Sequence, residues 1–343
     1  MKSLGLSSKN SNNSKVCLKE NGIAYFEPKE TSGIFRKFYE NLAQTLVDKL
    51  PAPPKIYTME STKHYYEQFG IQNILNLEMV DQTVILNLLS KTNISKAAGI
   101  DKLSGIFIKD GAEKIALHFT KIINLSIQSS SFPDLCKIAK LIALFKKGVR
   151  TEAKNYRPIS LLPLFSKIFE KVVHIQTETL LNDNKILFVN QSGFRPRHST
   201  ETCLTHLTNN ILEGCDKGLH TGLILIDLQK AFDTINYQIL LEKMVFLRFS
   251  PPTIAWFKSY LTNRSFIVDV DSTLSEPAEL VCGVPQGSIL SPLLFIIYIN
   301  DLPQSVKYCD IRLYADDTCI SFMHKNINLI NEKLNLIHYA IGF

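Results

Sequence analysis

The sequence lacks a hydrophobic run long enough to cross a bilayer. Its most apolar stretch, Ile289 to Ile299, is interrupted by Pro292 and falls short of the roughly 18 residues that a membrane helix requires. The N-terminus up to about Lys15 is rich in Ser, Asn and Lys, and it has no apolar core of the kind that a secretory signal needs. We therefore expect a protein that has no membrane span, is not secreted and works in the cytoplasm, the nucleus or both.

Cysteine pairs with metal-binding spacing are also absent. The seven cysteines are scattered between Cys17 and Cys319, and none belongs to a CxxC motif. This pattern predicts reduced cysteines that serve in packing.

Acidic residues are nearly missing from one segment, Lys137 to Arg157. It holds seven Lys or Arg against the single acid Glu152, whereas the net charge of the whole chain is only +6. A charge run is most often a solvated face. Here the basic residues alternate with apolar ones, and we favour a strand at Ile138 to Phe145 with one basic face, suited to a phosphate backbone or a triphosphate.

The 343 residues, of which 45% are apolar, suffice for two domains or one multi-lobed domain. Residues 1–20 are polar and of low complexity, which predicts a disordered tail. Residues 21–95 read as an extension or linker that is partly helical, with amphipathic helices expected at Gly33–Leu50 and Met79–Leu89. A further helix is expected at Ala112–Ser126.

Three acids follow strand-like runs. The apolar run Gly222 to Asp227 predicts a strand buried on both faces that ends in a carboxylate. The segment Asp310 to Phe322 predicts two strands that flank the turn-prone pair Asp316 and Asp317. Taken alone, this pair is equally well explained as a plain hairpin turn, where Asp is favoured.

Carboxylates beside apolar strands are costly unless a partner compensates their charge, and a divalent cation does so. Nucleotidyl transfer uses two such ions, about 3.5 to 4 Å apart, and three carboxylates from two strand ends would suffice to hold them. Because the candidate ligands are hard oxygens without His or Cys, Mg²⁺ is the expected ion, with Mn²⁺ as a substitute.

Several motifs occur in a fixed order along the chain, and together they resemble the reverse transcriptase domain of non-LTR (LINE-type) retrotransposons. The motifs lie at residues 96–103, 132–148, 155–163, 191–200, 226–235, 283–295 and 314–317, the last of which reads Tyr-Ala-Asp-Asp. Any one of the shorter strings could arise by chance. Their number, order and spacing are specific.

The resemblance implies a right-hand polymerase fold of the α/β (α+β) class. A fingers region is expected at 96–221, and a palm of antiparallel strands packed on helices at 222–325. A helix is expected within 326–343, and the thumb is expected to be absent or truncated. The implied activity is that of an RNA-directed DNA polymerase, which extends a DNA primer with dNTPs on an RNA template.

The same resemblance assigns the metal ligands and the nucleotide-binding residues. Asp227, Asp316 and Asp317 fall on the metal-binding aspartates, with Asp317 the least directly committed. Phe232 falls on the aromatic residue beneath the sugar of the incoming nucleotide, where its ring would clash with a 2′-hydroxyl. The remaining residues implied to bind the nucleotide are Arg157, Lys146 and Gln286, the last within the loop Gly283 to Gly287.

The basic residues expected on the template and primer are Lys137, Lys140, Lys147, Arg195 and Arg197. Three other residues are interpreted as structural. Asp233 reads as a cap or turn acid ahead of a helix around Ile239–Phe246. Ser291 reads as the N-cap of a helix at Leu293–Ile299, and Trp256 as an anchor of the core.

Two alternatives stay open on the sequence alone. One is a catalytically impaired remnant that acts at most as a module for binding RNA or template; the intact carboxylates argue against it and the expected loss of the thumb argues for it. The other is an RNA-dependent RNA polymerase or a group II intron-type enzyme. Phe232 argues against the former, and the fingers motifs argue against the latter.

Overall fold

Helices and sheets are mixed along the chain, as the expected α/β class requires. The computed structural model describes residues 16–47 and 59–341. Its α-helices are α1 (Pro28–Val47), α2 (Met59–Glu67), α3 (Gln82–Ser90), α4 (Gly105–Asp110), α5 (Ala112–Gln128), α6 (Leu164–Asp183), α7 (Thr200–Asp216), α8 (Tyr237–Phe246), α9 (Pro251–Leu261), α10 (Leu290–Ile299) and α11 (Ile327–Ile341). Its strands are β1 (Leu18–Glu20), β2 (Ile23–Tyr25), β3 (Ile138–Phe145), β4 (Tyr156–Leu161), β5 (His220–Asp227), β6 (Arg264–Val270), β7 (Thr273–Leu274), β8 (Ala278–Leu280), β9 (Asp310–Tyr314) and β10 (Asp317–His324). None of the helices described here is long and apolar enough to cross a membrane.

The strands form three sheets. β5, β10 and β9 make an antiparallel sheet, in that order, which we call the carboxylate sheet. A five-stranded sheet has the order β4-β3-β6-β7, with β8 also paired to β6. β3 and β6 run parallel, so the chain segment 264–280 joins the strands at 138–161 in one sheet. β1 and β2 form a separate hairpin.

The largest core lies among the helices. Buried apolar residues of α3, α5, α6, α8, α9 and α10 form one continuous cluster. Trp256 lies within it, stacked on Tyr260 at 5.8 Å between ring centroids, and its indole nitrogen donates to Ser126 Oγ at 3.0 Å. A buried indole needs such an acceptor, so the interpretation of Trp256 as a core anchor is confirmed.

The five-stranded sheet packs on α1. Ala139 and Leu141 of β3 are buried with Phe35 and Tyr39 of α1. The strand predicted at Ile138–Phe145 is therefore confirmed, but its predicted basic face is wrong. Lys140 is the one basic residue within β3, and its ammonium lies 3.6 Å from an Asp269 carboxylate oxygen on the neighbouring strand β6.

Several helix and tail boundaries differ from those predicted. α1 begins at Pro28 because proline suits the first turn, where its missing N–H is not needed; residues 48–50 of the predicted helix lie outside the described residues. α3 begins after Asp81, whose backbone is extended. Of the predicted disordered tail, residues 1–15 lie outside the described part, but Leu18 is fully buried in β1, so the prediction is wrong there.

The prediction that the strand ending at Asp227 is buried on both faces is also wrong. β5 lies at the edge of the carboxylate sheet. Ile224 and Ile226 pack into a small core with β9, β10 and α11, whereas Leu225 on the opposite face is 77% exposed. An antiparallel strand commonly buries only one face, and a continuous apolar run does not show which case applies.

A buried ion pair connects α2 to the main core. Lys243 of α8 donates to Asp301 Oδ1 at 2.5 Å and to the Tyr298 carbonyl oxygen at 2.6 Å. Thr62 of α2 donates to the other carboxylate oxygen of Asp301 at 2.9 Å. Burial lowers the pKa of Lys243, and the charge of Asp301 opposes that shift. Each ion therefore depends on its partner to remain charged in the core.

Removing one partner should destabilise the fold more than removing both. Lys243→Met leaves the Asp301 carboxylate buried and uncompensated, and should lower the free energy of unfolding by about 3 to 5 kcal/mol. The double variant Lys243→Met/Asp301→Leu should recover much of that loss. Urea denaturation measures both; Lys258→Met, at an exposed position of α9, is the control and should stay within about 0.5 kcal/mol. A double variant less stable than Lys243→Met would contradict this account.

Candidate functional site

Two of the predicted metal ligands lie at neighbouring strand ends. β5 ends at Asp227, β10 begins at Asp317, and the antiparallel register pairs these two residues. Side chains paired in this way share one face of the sheet, with Cβ atoms about 4.5 to 5.5 Å apart. Asp316 lies in the turn between β9 and β10, so the predicted hairpin is confirmed.

The turn that carries Asp316 is held by a residue that sequence reasoning missed. Gln191 is buried, and its Oε1 atom accepts the backbone N–H of Ala315 at 3.0 Å and that of Gly193 at 2.8 Å. A Cβ atom on Gly193 would lie 2.0 Å from the Ala315 nitrogen, so only glycine fits there. The motif at 191–200 thus fixes the turn from outside the carboxylate sheet.

The carboxylates repel one another. Burial raises the pKa of Asp317, and the negative charges of Asp316 and Asp227 raise it further. Such like-charge crowding is relieved by a bound cation. Within residues 16–47 and 59–341, however, no three His, Cys, Asp or Glu side chains are grouped closely enough to hold a metal ion as they stand.

A cleft of about 580 Å³ lies beside Asp227 and Asp316. Residues far apart in sequence line it together. The predicted site residues on its wall are Lys146, Lys147, Arg157, Asp227, Phe232, Gln286 and Asp316. Lys146, Lys147 and Arg157 therefore line the same open space as the carboxylates of Asp227 and Asp316. This arrangement suits a ligand that carries several negative charges and is bound together with cations.

Phe232 is held rigidly at the wall of the cleft. Its ring stacks on Phe295 of α10 at 4.9 Å between centroids, with an angle of 22° between the planes. Phe194 meets it edge to face at 5.8 Å. Aromatic pairs in these geometries are favourable, so the ring has little freedom to turn aside.

The loop Gly283 to Gly287 is attached to both neighbouring segments. The Gln286 carbonyl oxygen accepts the Ser160 N–H of β4 at 2.8 Å, and a Cβ atom on Gly287 would lie 2.5 Å from the Ser160 carbonyl oxygen. On the other side, the N–H of Val284 donates to the Phe232 carbonyl oxygen at 2.8 Å. The loop therefore joins β4, which carries Arg157, to the segment that carries Phe232.

Asp233 ends the 3₁₀ turn Ala231–Asp233, so its interpretation as a turn acid is confirmed, but it does not cap α8. Asn236 does so, because its Oδ1 atom accepts the Ile239 N–H at 3.2 Å. The Asp233 carboxylate instead accepts a hydrogen bond of 2.9 Å from the side-chain amide of Gln286. This partner lies far along the chain, so no local pattern indicates it.

Ser291 is not the N-cap of α10. It lies inside the first turn, and its hydroxyl donates to the Pro285 carbonyl oxygen at 2.9 Å. The hydroxyl oxygen of Ser288 accepts the N–H groups of Leu290 and Ser291 at 3.0 and 3.2 Å. The helix begins three residues before the predicted Leu293, because Pro292 is tolerated in a first turn.

A family model described as "Reverse transcriptase (RNA-dependent DNA polymerase)" matches residues 145–339. The chain belongs to this family. Among its relatives is a Drosophila melanogaster protein named "Probable RNA-directed DNA polymerase from transposon BS", 30% identical over 88% of this chain and 34% of the relative. Another, the "RNA-directed DNA polymerase from mobile element jockey" of the same species, is 31% identical over 84% of this chain and 32% of the relative.

These relatives confirm the resemblance to the non-LTR retrotransposon type. The chain spans about one third of the length of each of them.

Not every basic residue that was predicted to bind template or primer faces the cleft of this reverse transcriptase domain. Lys137 is only 5% exposed, and its ammonium lies 2.9 Å from an Asp134 carboxylate oxygen. Lys140 is paired with Asp269, as described above. The positions of Lys137 and Lys140 argue against a role in phosphate contact, because their charges are already matched by acids.

Arg195 donates to the carbonyl oxygens of Phe188 and Gln191, both at 3.1 Å, and so supports the loop that holds the hairpin turn. Arg197 is exposed beyond that loop.

Glu170 of α6 holds the start of α10, just after the loop Gly283 to Gly287, and this role was not predicted from the sequence. It is fully buried, and its carboxylate accepts the Ile289 N–H at 2.7 Å and the Tyr260 hydroxyl at 3.2 Å. Burial raises the pKa of Glu170, while the hydrogen bond from Ile289 and the charge of Arg264 oppose the shift. A glutamate among mostly apolar residues of the helix, next to Ile168, Phe169 and Val172, was the signal available in the sequence.

Replacing Glu170 should destabilise the loop and the fold. Glu170→Ala leaves the Ile289 N–H without its acceptor in a buried place and removes one of the two side-chain partners of the Tyr260 hydroxyl, the other being Ser288. It should cost at least about 2 kcal/mol of unfolding free energy. Glu178→Ala, which breaks only a partly exposed pair with His174 on the same helix, should cost about 0 to 1 kcal/mol. Urea denaturation compares the two.

The same measurement at several pH values tests the state of the carboxyl group. Because its folded pKa is raised above the unfolded value, the stability that Glu170 contributes is present at low pH and is lost as the pH rises through the raised value. Glu170→Ala should flatten this slope. Equal losses in the two alanine variants would rule out the anchoring role.

Proposed function

We propose that this chain is the catalytic core of an RNA-directed DNA polymerase, which adds dNTPs to the 3′-hydroxyl of a DNA primer paired to an RNA template. The observation that carries the proposal is the cleft, where Arg157, Asp227, Phe232, Gln286 and Asp316 meet although they come from distant parts of the chain. Membership of the reverse transcriptase family and the names of the relatives support it.

In this proposal the carboxylate sheet, with α8 and α10, is the palm of a right-hand polymerase. The fingers are assigned to 96–221 and the palm to 222–325. β6 of the assigned palm pairs with β3 of the assigned fingers, and β7 and β8 pair with β6, so the two regions share one sheet.

Asp227, Asp316 and Asp317 would hold two Mg²⁺ ions. The residues fit such ions in their hard oxygen donors and in the repulsion that raises the pKa of Asp317. Asp227 and Asp317 are exposed and Asp316 is half-buried, so their side chains have room to rotate. When bound, the ions would activate the primer hydroxyl and offset charge on the triphosphate.

Arg157 and Lys146 would bind the triphosphate. Arg157 is exposed on β4 and Lys146 follows β3, so both extend from the edge of the five-stranded sheet into the cleft. A guanidinium can contact two phosphate oxygens at once, and the ammonium of Lys146 adds a point charge. Lys147 on the same wall would contact the template or the primer backbone.

Phe232 would select deoxyribonucleotides. Its ring cannot readily move aside, since it is stacked on Phe295 and braced by Phe194. A ribose would be excluded because its 2′-hydroxyl would clash with this ring. No hydrogen bond to the sugar is needed to distinguish it from deoxyribose.

Primer extension tests the activity. The chain with Mg²⁺, dNTPs and a DNA primer on an RNA template should extend the primer, and chelation of the metal should abolish extension. Asp316→Asn removes a charged ligand and should lower the rate by about 100- to 1000-fold, on the scale of losing a major electrostatic contribution to catalysis. Asp271→Asn, in the exposed turn between β6 and β7, is the control and should leave the rate unchanged.

A chain that binds template and primer yet adds no nucleotide would overturn the polymerase proposal. It would leave a template-binding module as the function.

Shortening Phe232 should weaken sugar selection. Phe232→Val opens space for a 2′-hydroxyl and should reduce the ratio of kcat/KM for dNTP over rNTP by about 10-fold or more, as expected when a steric clash is removed. The ratio corrects for any general loss of activity, and thermal unfolding checks that the variant is folded. An unchanged ratio in a folded variant would assign selection to another residue.

A further inference from the structure

Gln286 forms the wall between the cleft and a smaller cavity of about 60 Å³ behind it. Its backbone is fixed by β4, but its side chain has its own freedom to rotate. The structure gives that side chain one hydrogen bond, in which Nε2 donates to Asp233 Oδ1 at 2.9 Å. With one N–H of the amide turned to Asp233, the amide carbonyl oxygen accepts no hydrogen bond from the described residues and remains, with the second N–H, for a ligand in the cleft.

Asp233 itself is placed by backbone contacts. The N–H of Gly283 donates to the Ile235 carbonyl oxygen at 2.9 Å, and a Cβ atom on Gly283 would lie 2.7 Å from the Asp233 carbonyl oxygen. The segment that carries Phe232 and Asp233 is thus joined directly to the loop that carries Gln286. The Asp233 carboxylate is thereby held beside the loop Gly283 to Gly287, next to Gln286.

Its electrostatic surroundings also connect Asp233 to the cleft. Burial raises the pKa of Asp233, while the hydrogen bond from Gln286 and the charges of Lys230 and Arg157 lower it. Two of these opposing groups, Arg157 and Gln286, are the residues assigned above to the nucleotide. The other carboxylate oxygen has no hydrogen-bond partner among the described residues, and Asp233 lines the small cavity together with Tyr39 and Arg264.

We infer that Asp233 is a positioning residue for nucleotide binding, which acts by orienting the side-chain amide of Gln286 so that its carbonyl faces the incoming dNTP. This inference rests on the proposed function and adds a residue to it. A carboxylate is suited to the task because it only accepts hydrogen bonds, and therefore admits one orientation of the amide. Asp233 does not itself touch the nucleotide.

A double-mutant cycle separates this role from a merely structural one. Gln286→Ala, Asp233→Ala and the double variant are compared in two readouts: the dissociation constant of dGTP with Mg²⁺ on the chain bound to template and primer, and the KM and kcat of extension. Loss of one oriented hydrogen bond should raise the dissociation constant and KM about 10-fold in each single variant, with little change in kcat. The double variant should be no worse than Gln286→Ala, since Asp233 acts through Gln286.

The conservative variant supplies the rescue. In Asp233→Asn the side-chain oxygen can still accept from Gln286, but its NH2 group also permits the flipped amide, so its KM should lie between the wild-type value and that of Asp233→Ala. Should Asp233→Ala not fold, Asp233→Ser replaces it, because the hydroxyl is too short to reach Gln286 but keeps a polar group at the cavity.

If the wild-type chain extends the primer, the proposed polymerase activity stands. The positioning role of Asp233 is then overturned if the two single variants weaken dGTP binding additively in the double variant, or if they lower kcat alone. If the wild-type chain binds dGTP but does not extend the primer, the proposed activity is overturned. The dissociation constants of dGTP for the variants then still decide the role of Asp233. A wild-type chain that binds no dGTP overturns both.

Discussion

Eight residue pairs join β5 to β10, and the pairing ends at Asp227 and Asp317. Because side chains alternate between the faces of a strand, this register sets both carboxylates on one face of the sheet. A slip of one residue would place them on opposite faces and leave no shared site for a cation. Asp316 depends on the same pairing, since it lies in the turn that connects β10 to β9.

The rest of the site is built against this sheet by close backbone contacts. Gly193 packs on the Ala315 backbone, and Gly287 packs on the Ser160 carbonyl oxygen, at distances that exclude any side chain. Contacts of this kind leave little room for adjustment. The backbone segments around the cleft are therefore held in position before a ligand arrives, which lowers the entropic cost of ordering a ligand there. The Glu170 carboxylate completes the frame by anchoring the start of α10.

Much of this arrangement was predictable from the sequence where the signal is local. The strand at Ile138–Phe145 and the hairpin around Asp316 follow from patterns within about ten residues, and both are present. The convergence of Arg157, Phe232 and Gln286 was implied only by the resemblance of ordered motifs to a known family, because no local pattern encodes a contact between distant segments.

What the sequence did not reveal depends on partners far along the chain. Asp233 was interpreted as a cap or turn acid, and its side-chain partner Gln286 was not predicted because it is 53 residues away. Lys140 was assigned to nucleic acid because nothing in the basic run indicates that Asp269 lies beside it in the sheet. β5 was predicted to be buried on both faces because its residues 222–226 form a continuous apolar run. An apolar sequence does not show whether other elements pack on both faces of a strand.

Single-nucleotide addition on four RNA templates, which differ only in the templating base, tests the central claim most directly. The account predicts that each template directs the addition of its complementary dNTP and of no other, and that the corresponding rNTP is rejected. Addition that ignores the templating base, or the absence of any addition by a folded chain with bound template and primer, would contradict it.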